Sequence, residues 1–563
     1  MSDHPSSQPL PRREFLASLG AAAALPLTAR VSRVFQPRLP FRPMRGAPRP
    51  ALSNAPVEAT PDVAVIALNR MAFGPRPGDL EAFRALGVTQ QAQLQAYVEQ
   101  QLHPESIDDS ALQARIDAQG FITLNKSLEQ LWTDHMRYEG DDYHVHILPA
   151  WETMAVTWLR ALYSRRQLQE TLVDFWHNHF NVYGWQWEVA PVLVHYDRDV
   201  IRPHALGNFR EMLEAVATST AMLYYLDNFI NSRAGPNENY ARELLELHTL
   251  GAENYLGVRE QSSVPGFENG EPIGYVDEDV YEATRCLTGW RVNDNDWEEG
   301  VQDNGTFLYY DEWHDRFQKT FLGHHIPSDQ APMKDGRDVL DLLAAHPGVG
   351  RFIARKLARR YISDNPPADV VAAAAEVFTA QKDAPDQLRQ TLRVILLSDA
   401  FRQTWGQKVK RPFEFTASAL RAIGANVSQI SDAFTWLYWQ MGQPMFGHTT
   451  PDGYSDVRED WLTTHGLLQR WRMSGAIINN WIDEISYDLL GVTPTDVRSP
   501  NALADFWIQR ILGRSIAQEH RDQIASFIAQ GRNPAYDLPP QQIEERLPSM
   551  VQLILMSPEF QLR

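Results

Sequence analysis

Apolar residues along most of this chain recur at intervals of three and four, the period of helices with one buried face. Val63, Ile66 and Ala67 begin such a pattern, and Gly74-Pro75 ends it. Leu94, Tyr97, Val98 and Leu102 mark a second helix over residues 90–102. Residues 127–180 read as long helices broken around 139–146, followed by helices between 204 and 226. The same period returns over 337–345, 348–361, 368–380, 386–397, 414–423 and onward to 556. Residue types Gly, Asn, Asp and aromatics replace it between 252 and 335, apart from a short helix at 278–289. There, residues 306–310 and 319–322 are expected to pair as a small antiparallel ribbon around Trp313-His314-Asp315. The pattern predicts a mainly α fold: a large multi-helix body over 62–563 with an irregular, partly β insertion at about 252–335.

The first 61 residues lie outside that pattern. Pro11-Arg12-Arg13-Glu14-Phe15-Leu16 matches a twin-arginine signal, and an Ala-rich apolar run from Leu19 to Leu27 follows it. Pro26 and the shortness of the run exclude a membrane-spanning helix. Residues 1–29 are therefore expected to be a signal peptide, and the mature protein periplasmic or extracellular. Residues 30–61, rich in Arg and Pro, read as a disordered linker.

Composition narrows the class further. The 563 residues carry a net charge of −19, which opposes nucleic acid and anionic membrane surfaces as partners. Cys286 is the only cysteine, so no internal disulfide is possible. No H-E-x-x-H, G-x-S-x-G, P-loop or dinucleotide fingerprint is present.

One stretch concentrates chemistry: Pro236-Asn237-Glu238-Asn239-Tyr240-Ala241-Arg242-Glu243-Leu244-Leu245-Glu246-Leu247-His248-Thr249-Leu250-Gly251. Asn237 suits an N-cap and Gly251 a C-terminal stop. Tyr240, Leu244 and Leu247 share one side, while Asn239, Glu243 and Glu246 fall in a wedge on the other. Such a helix either presents a solvated face or points oxygen ligands at a metal or substrate. Eleven of the seventeen histidines lie between 135 and 325, including His177-Asn178-His179 in the run FWHNHF. Two histidines spaced this way lie 200° apart on a helix and share a face only on an extended segment.

PNENYARELLELHTLG, followed by GYVDEDVYEATRCLTGW and preceded by FWHNHF, resembles the signature of a large bacterial family of unknown function, DUF 1800. The resemblance runs from about residue 62 to the end, and includes RFIARKLARRY and the block from Met441 to Leu462. It brings no settled reaction with it. It implies a partner, a similarly exported sulfatase-like family (DUF 1501). Joining the stretches that match gives one candidate site. His177, His179, Glu243 and Glu246 are expected to hold a divalent transition metal (zinc, manganese or iron), with Asn239, Asp279, Glu282, His314 and Asp315 around substrate. A metal-dependent periplasmic hydrolase or oxidoreductase acting on a polar substrate is the function such a site implies. The alternatives are a non-catalytic accessory protein and a glycan-binding protein.

Overall fold

Asp62 accepts a hydrogen bond from Ala64 N–H and opens the helix Val63–Arg70, whose whole length is buried. Thr89 does the same for Gln90–Leu102. The structure, a computed structural model, describes residues 60–295 and 301–563, and the expected signal peptide and most of the linker lie outside them. Among the described residues the protein is mainly α, with strands confined to short antiparallel pairs. No described helix is long and apolar enough to cross a membrane.

Seven helices position the residues of functional interest: α1 (Tyr143–Tyr163), α2 (Gln167–His179), α3 (Asn239–Glu243), α4 (Asp277–Cys286), α5 (Lys334–Ala345), α6 (Pro347–Tyr361) and α7 (Pro412–Ile423). They pack around two neighbouring apolar cores. One is built mainly from the N-terminal half through Phe401, the other from α1, α7 and the C-terminal helices. Half-buried Trp151, Trp185 and Phe446 touch both.

Two local features depart from a regular helical reading. The stretch begun by α3 continues as a π-helical turn over Leu244–Thr249, with Leu250 N–H bonded to Leu245 O. One extra residue per turn rotates the face. Leu245 and Thr249 become buried and Leu247 only half so, whereas a regular period turns Leu247 inward. Thr249 Oγ1 closes the gap by donating to Leu244 O at 2.6 Å. Gly251 then ends the segment at φ +94, where a Cβ would come within 2.7 Å of the Phe352 ring on α6.

The insertion also pairs differently from the expected ribbon. β1 (Trp290–Val292) pairs with β2 (Phe307–Tyr309), and β3 (Lys319–Phe321) pairs with β4 (His324–Ile326). Leu322 and Gly323 both adopt positive φ, so β3 reverses in a two-residue turn and takes the next strand as its partner. A third pair joins Asn426–Val427 to Ile485–Ser486.

Candidate functional site

α2 runs unbroken through His179, so His177 and His179 diverge as helix geometry dictates. His177 Nε2 meets Asp197 Oδ1 at 3.0 Å, and Asp197 also binds Arg160 and Arg202. His179 turns the other way, into an aromatic layer of Phe175, Trp176, Phe180 and Phe352. It does reach the α3 segment, but at the backbone: its Nε2 lies 3.1 Å from His248 O. A carbonyl only accepts, so Nε2 carries the proton and Nδ1 is left as a lone pair without a partner. Burial and the nearby Lys356 charge hold His179 well below the usual imidazole range, and they lower His248 to about 3. Both rings are neutral at physiological pH.

The two asparagines of the same run are clasps. Asn178 Nδ2 donates to Tyr454 O and its Oδ1 accepts from Tyr454 N–H, both at 2.7 Å. Asn181 Nδ2 donates to the carbonyls of His448 and Thr450. Gly453, at φ +72, passes so close that a Cβ would collide with the Asn178 carbonyl oxygen. The stretch 177–181 is therefore a joint that pins the loop at 448–454 to α2 and ties α2 to the α3 segment.

Glu243 and Glu246 do lie together, half-buried, on the wedge the sequence predicts. Burial, the Glu246 charge and Asp452 raise Glu243 to about 7. The charges that act on Glu243 are those of Glu246, Arg242 and Asp452 of the loop, not the histidines of α2. Among the described residues no three side chains of His, Cys, Asp or Glu are arranged to hold a metal ion, so the expected four-residue ligand set is not assembled. The proposed substrate shell is dispersed too. Asn239 Nδ2 reaches Asp227, at 3.4 Å. Asp279 accepts the N–H groups of Val276 and Leu322, which fastens α4 to the β3–β4 turn. Glu282 and Asp315 grip Arg285 from two sides, and Glu282 also takes Thr320 N–H. His314 lies between Thr288 and Asp335, where Lys319 joins it on Asp335 at 2.6 Å. These four residues knit the insertion to α4 and α5.

A cleft of about 590 Å³ opens between α6 and the loop Asp452–Val457, with Phe175, Asn178 and His179 of α2 among its lining. A second cavity, on the His177 side, measures only about 50 Å³, room for a water or two. The basic residues of α6 divide into three kinds. Arg351 is exposed. Arg360 is buried in an ion cluster with Asp174, Glu414 and Asp456, shared with Arg411 and Arg563. Arg355, Lys356 and Arg359 line the cleft. Arg355 pairs with Glu253 at the rim, and Arg359 donates its Nε–H to Asp364 O without an ion-pair partner among the described residues. Lys356 has neither a hydrogen bond nor an ion pair among them, and its Nζ sits 5.4 Å from the Phe352 ring. Burial, together with Arg359 and Arg355, lowers Lys356 to about 8 against the attraction of Asp456 and Asp452.

The sequence signal for this cleft is the spacing Phe352, Lys356, Arg359, an aromatic and two cations along one stripe of RFIARKLARRY. What covers the stripe is loop 452–457, about a hundred residues later, and no local pattern reveals it.

Such a fold and site define a class: a mainly α body with a basic cleft covered by a pinned loop. The model of a family described as a protein of unknown function, DUF1800, matches residues 66–562, and the chain belongs to that family. No curated protein and no solved structure matches it.

Proposed function

We propose that this chain is an extracytoplasmic protein that binds a small anionic ligand in the cleft between α6 and Asp452–Val457. The observation that carries the reading is Lys356. An ammonium turned into a half-buried cleft with no direct ion pair among the described residues costs stability, and such a cost is retained where a ligand supplies the missing contact. Arg359, one turn on, offers a guanidinium also without an ion-pair partner among the described residues, suited to a carboxylate or phosphate. The location beyond the cytoplasm rests on Arg12-Arg13 and the apolar run after them.

The test is calorimetric titration of the full chain with phosphate, sulfate and small carboxylates, beside Lys356→Met and Arg359→Gln. Binding to the native protein, weakened at least about tenfold in either variant, supports the reading. Absence of binding by all three anion classes overturns it.

A further inference from the structure

The chain has seven lysines. Six are engaged: Lys126 with Asp134, Lys319 with Asp335, Lys334 with Asp338, Lys382 with Asp383, Lys408 with Asp364, and Lys410 with Ser418 Oγ. Lys356 alone has no acceptor among the described residues, and it is the one lysine that lines the cleft. The charges beside its amine are the guanidinium groups of Arg355 and Arg359 on α6 and the carboxylates of Asp452 and Asp456 across the cleft. Phe352 and Phe175 supply apolar walls. An amine held without an acceptor, between cations and aromatic rings, is the setting in which lysine becomes a nucleophile rather than a point charge.

We propose that Lys356 is a carbonyl-trapping residue: the cleft takes small 2-oxo acids, whose carboxylate Arg359 receives and whose carbonyl carbon the ε-amine attacks to form an imine. The step balances without a further reactant. The nitrogen lone pair of the neutral amine forms the C–N bond while the carbonyl π pair moves to oxygen. A proton passes from nitrogen to that oxygen, giving a carbinolamine. The hydroxyl leaves with a second proton as water, and C=N forms. Hydrolysis reverses the sequence and frees the lysine. The low affinity of Lys356 for its proton leaves an appreciable share of neutral amine at pH 7 to 8.

Lys410 is a built-in control. Burial lowers it to about 7, further than Lys356, yet it is enclosed at 4 % exposure over the Phe560 ring and held by Ser418. If access and geometry govern reaction, Lys356 is trapped and Lys410 is not.

The inference rests on the anion-binding reading, and the experiment separates the two. The full chain is incubated with glyoxylate and cyanoborohydride at pH 7.5, and carboxymethylated lysines are mapped by peptide mass spectrometry. Labelling of Lys356 at least about tenfold above the exposed Lys334 and Lys382, suppressed by phosphate, is the expected result. Lys356→Arg should abolish it and leave the other sites unchanged. Labelling of Lys356 no faster than Lys382 overturns the imine. If that occurs while phosphate and sulfate still bind, the cleft remains an anion site and only the covalent step is lost. If no anion binds, the failure lies in the earlier reading.

Discussion

Replacing Lys356 by methionine keeps an unbranched stem beside Phe352 and removes the charge. The native lysine falls from its ordinary 10.5 to about 8, a cost of up to about 3 kcal/mol to the folded state when both states are protonated. Solvent at the cleft mouth screens part of this, so the expected gain for Lys356→Met at pH 7 is about 1–2 kcal/mol. The sign comes from proton counts. Between pH 8 and 10 the unfolded chain holds the lysine proton and the folded chain has released it, so native stability climbs with pH in that window. The advantage of methionine is therefore full at pH 7 and shrinks as pH approaches 10. Urea melts of both proteins at pH 7 and pH 10 read it directly, and anion titration of the variant should show binding lost as stability rises. A variant less stable than the native protein at pH 7, or equally advantaged at both pH values, would refute the claim that the Lys356 ammonium goes without a compensating ion pair.

Sulfate keeps its charge throughout, so its affinity should fall as pH rises from 7 through 9.5 and the Lys356 proton is lost, measured by calorimetry at fixed ionic strength. Glu243→Gln should be neutral at pH 4. Its advantage should grow from about pH 4.5 to 7, where the unfolded chain has released the Glu243 proton and the folded chain still holds it, and level off above pH 7 at about 1 kcal/mol. Asn178→Ala deletes both hydrogen bonds to Tyr454, costs about 1–3 kcal/mol, and should speed amide exchange across residues 448–457. Glu414→Ala leaves Arg360, Arg411 and Arg563 facing one another and should cost about 3–5 kcal/mol in denaturant melts.

Helices with a strict apolar period were legible from the letters. The ranges 90–102 and 368–380 emerge with both ends as read, since Thr89 and Pro367 mark their starts and apolar spacing carries them through. The candidate site was legible only in pieces. Glu243 and Glu246 share a wedge as their spacing requires, but helix register says nothing of what faces them. His177 and His179 hinged on whether α2 stopped before 179; it runs one residue too far for both to turn one way. The π-helical turn rotated Leu247 outward because an extra residue per turn has no composition signature. His314 and Asp315, expected around substrate, meet partners, Asp335 and Arg285, that lie about twenty and thirty residues off in sequence. The cations of α6 stand in the letters RFIARKLARRY, and only the distant loop over them turns a helix face into a cleft.

The ion cluster behind the cleft draws on positions 174, 360, 411, 414 and 456, so the wall carrying Lys356 is assembled from segments nearly three hundred residues apart. No partial fold lacking any of them can complete it. A ligand bound there recognises the finished molecule alone, and by mass action it adds its binding energy to that state and to no intermediate. Added anion should accordingly leave early collapse during refolding untouched and raise the yield of the last step, which makes the cleft a reporter of whether the chain has closed upon itself.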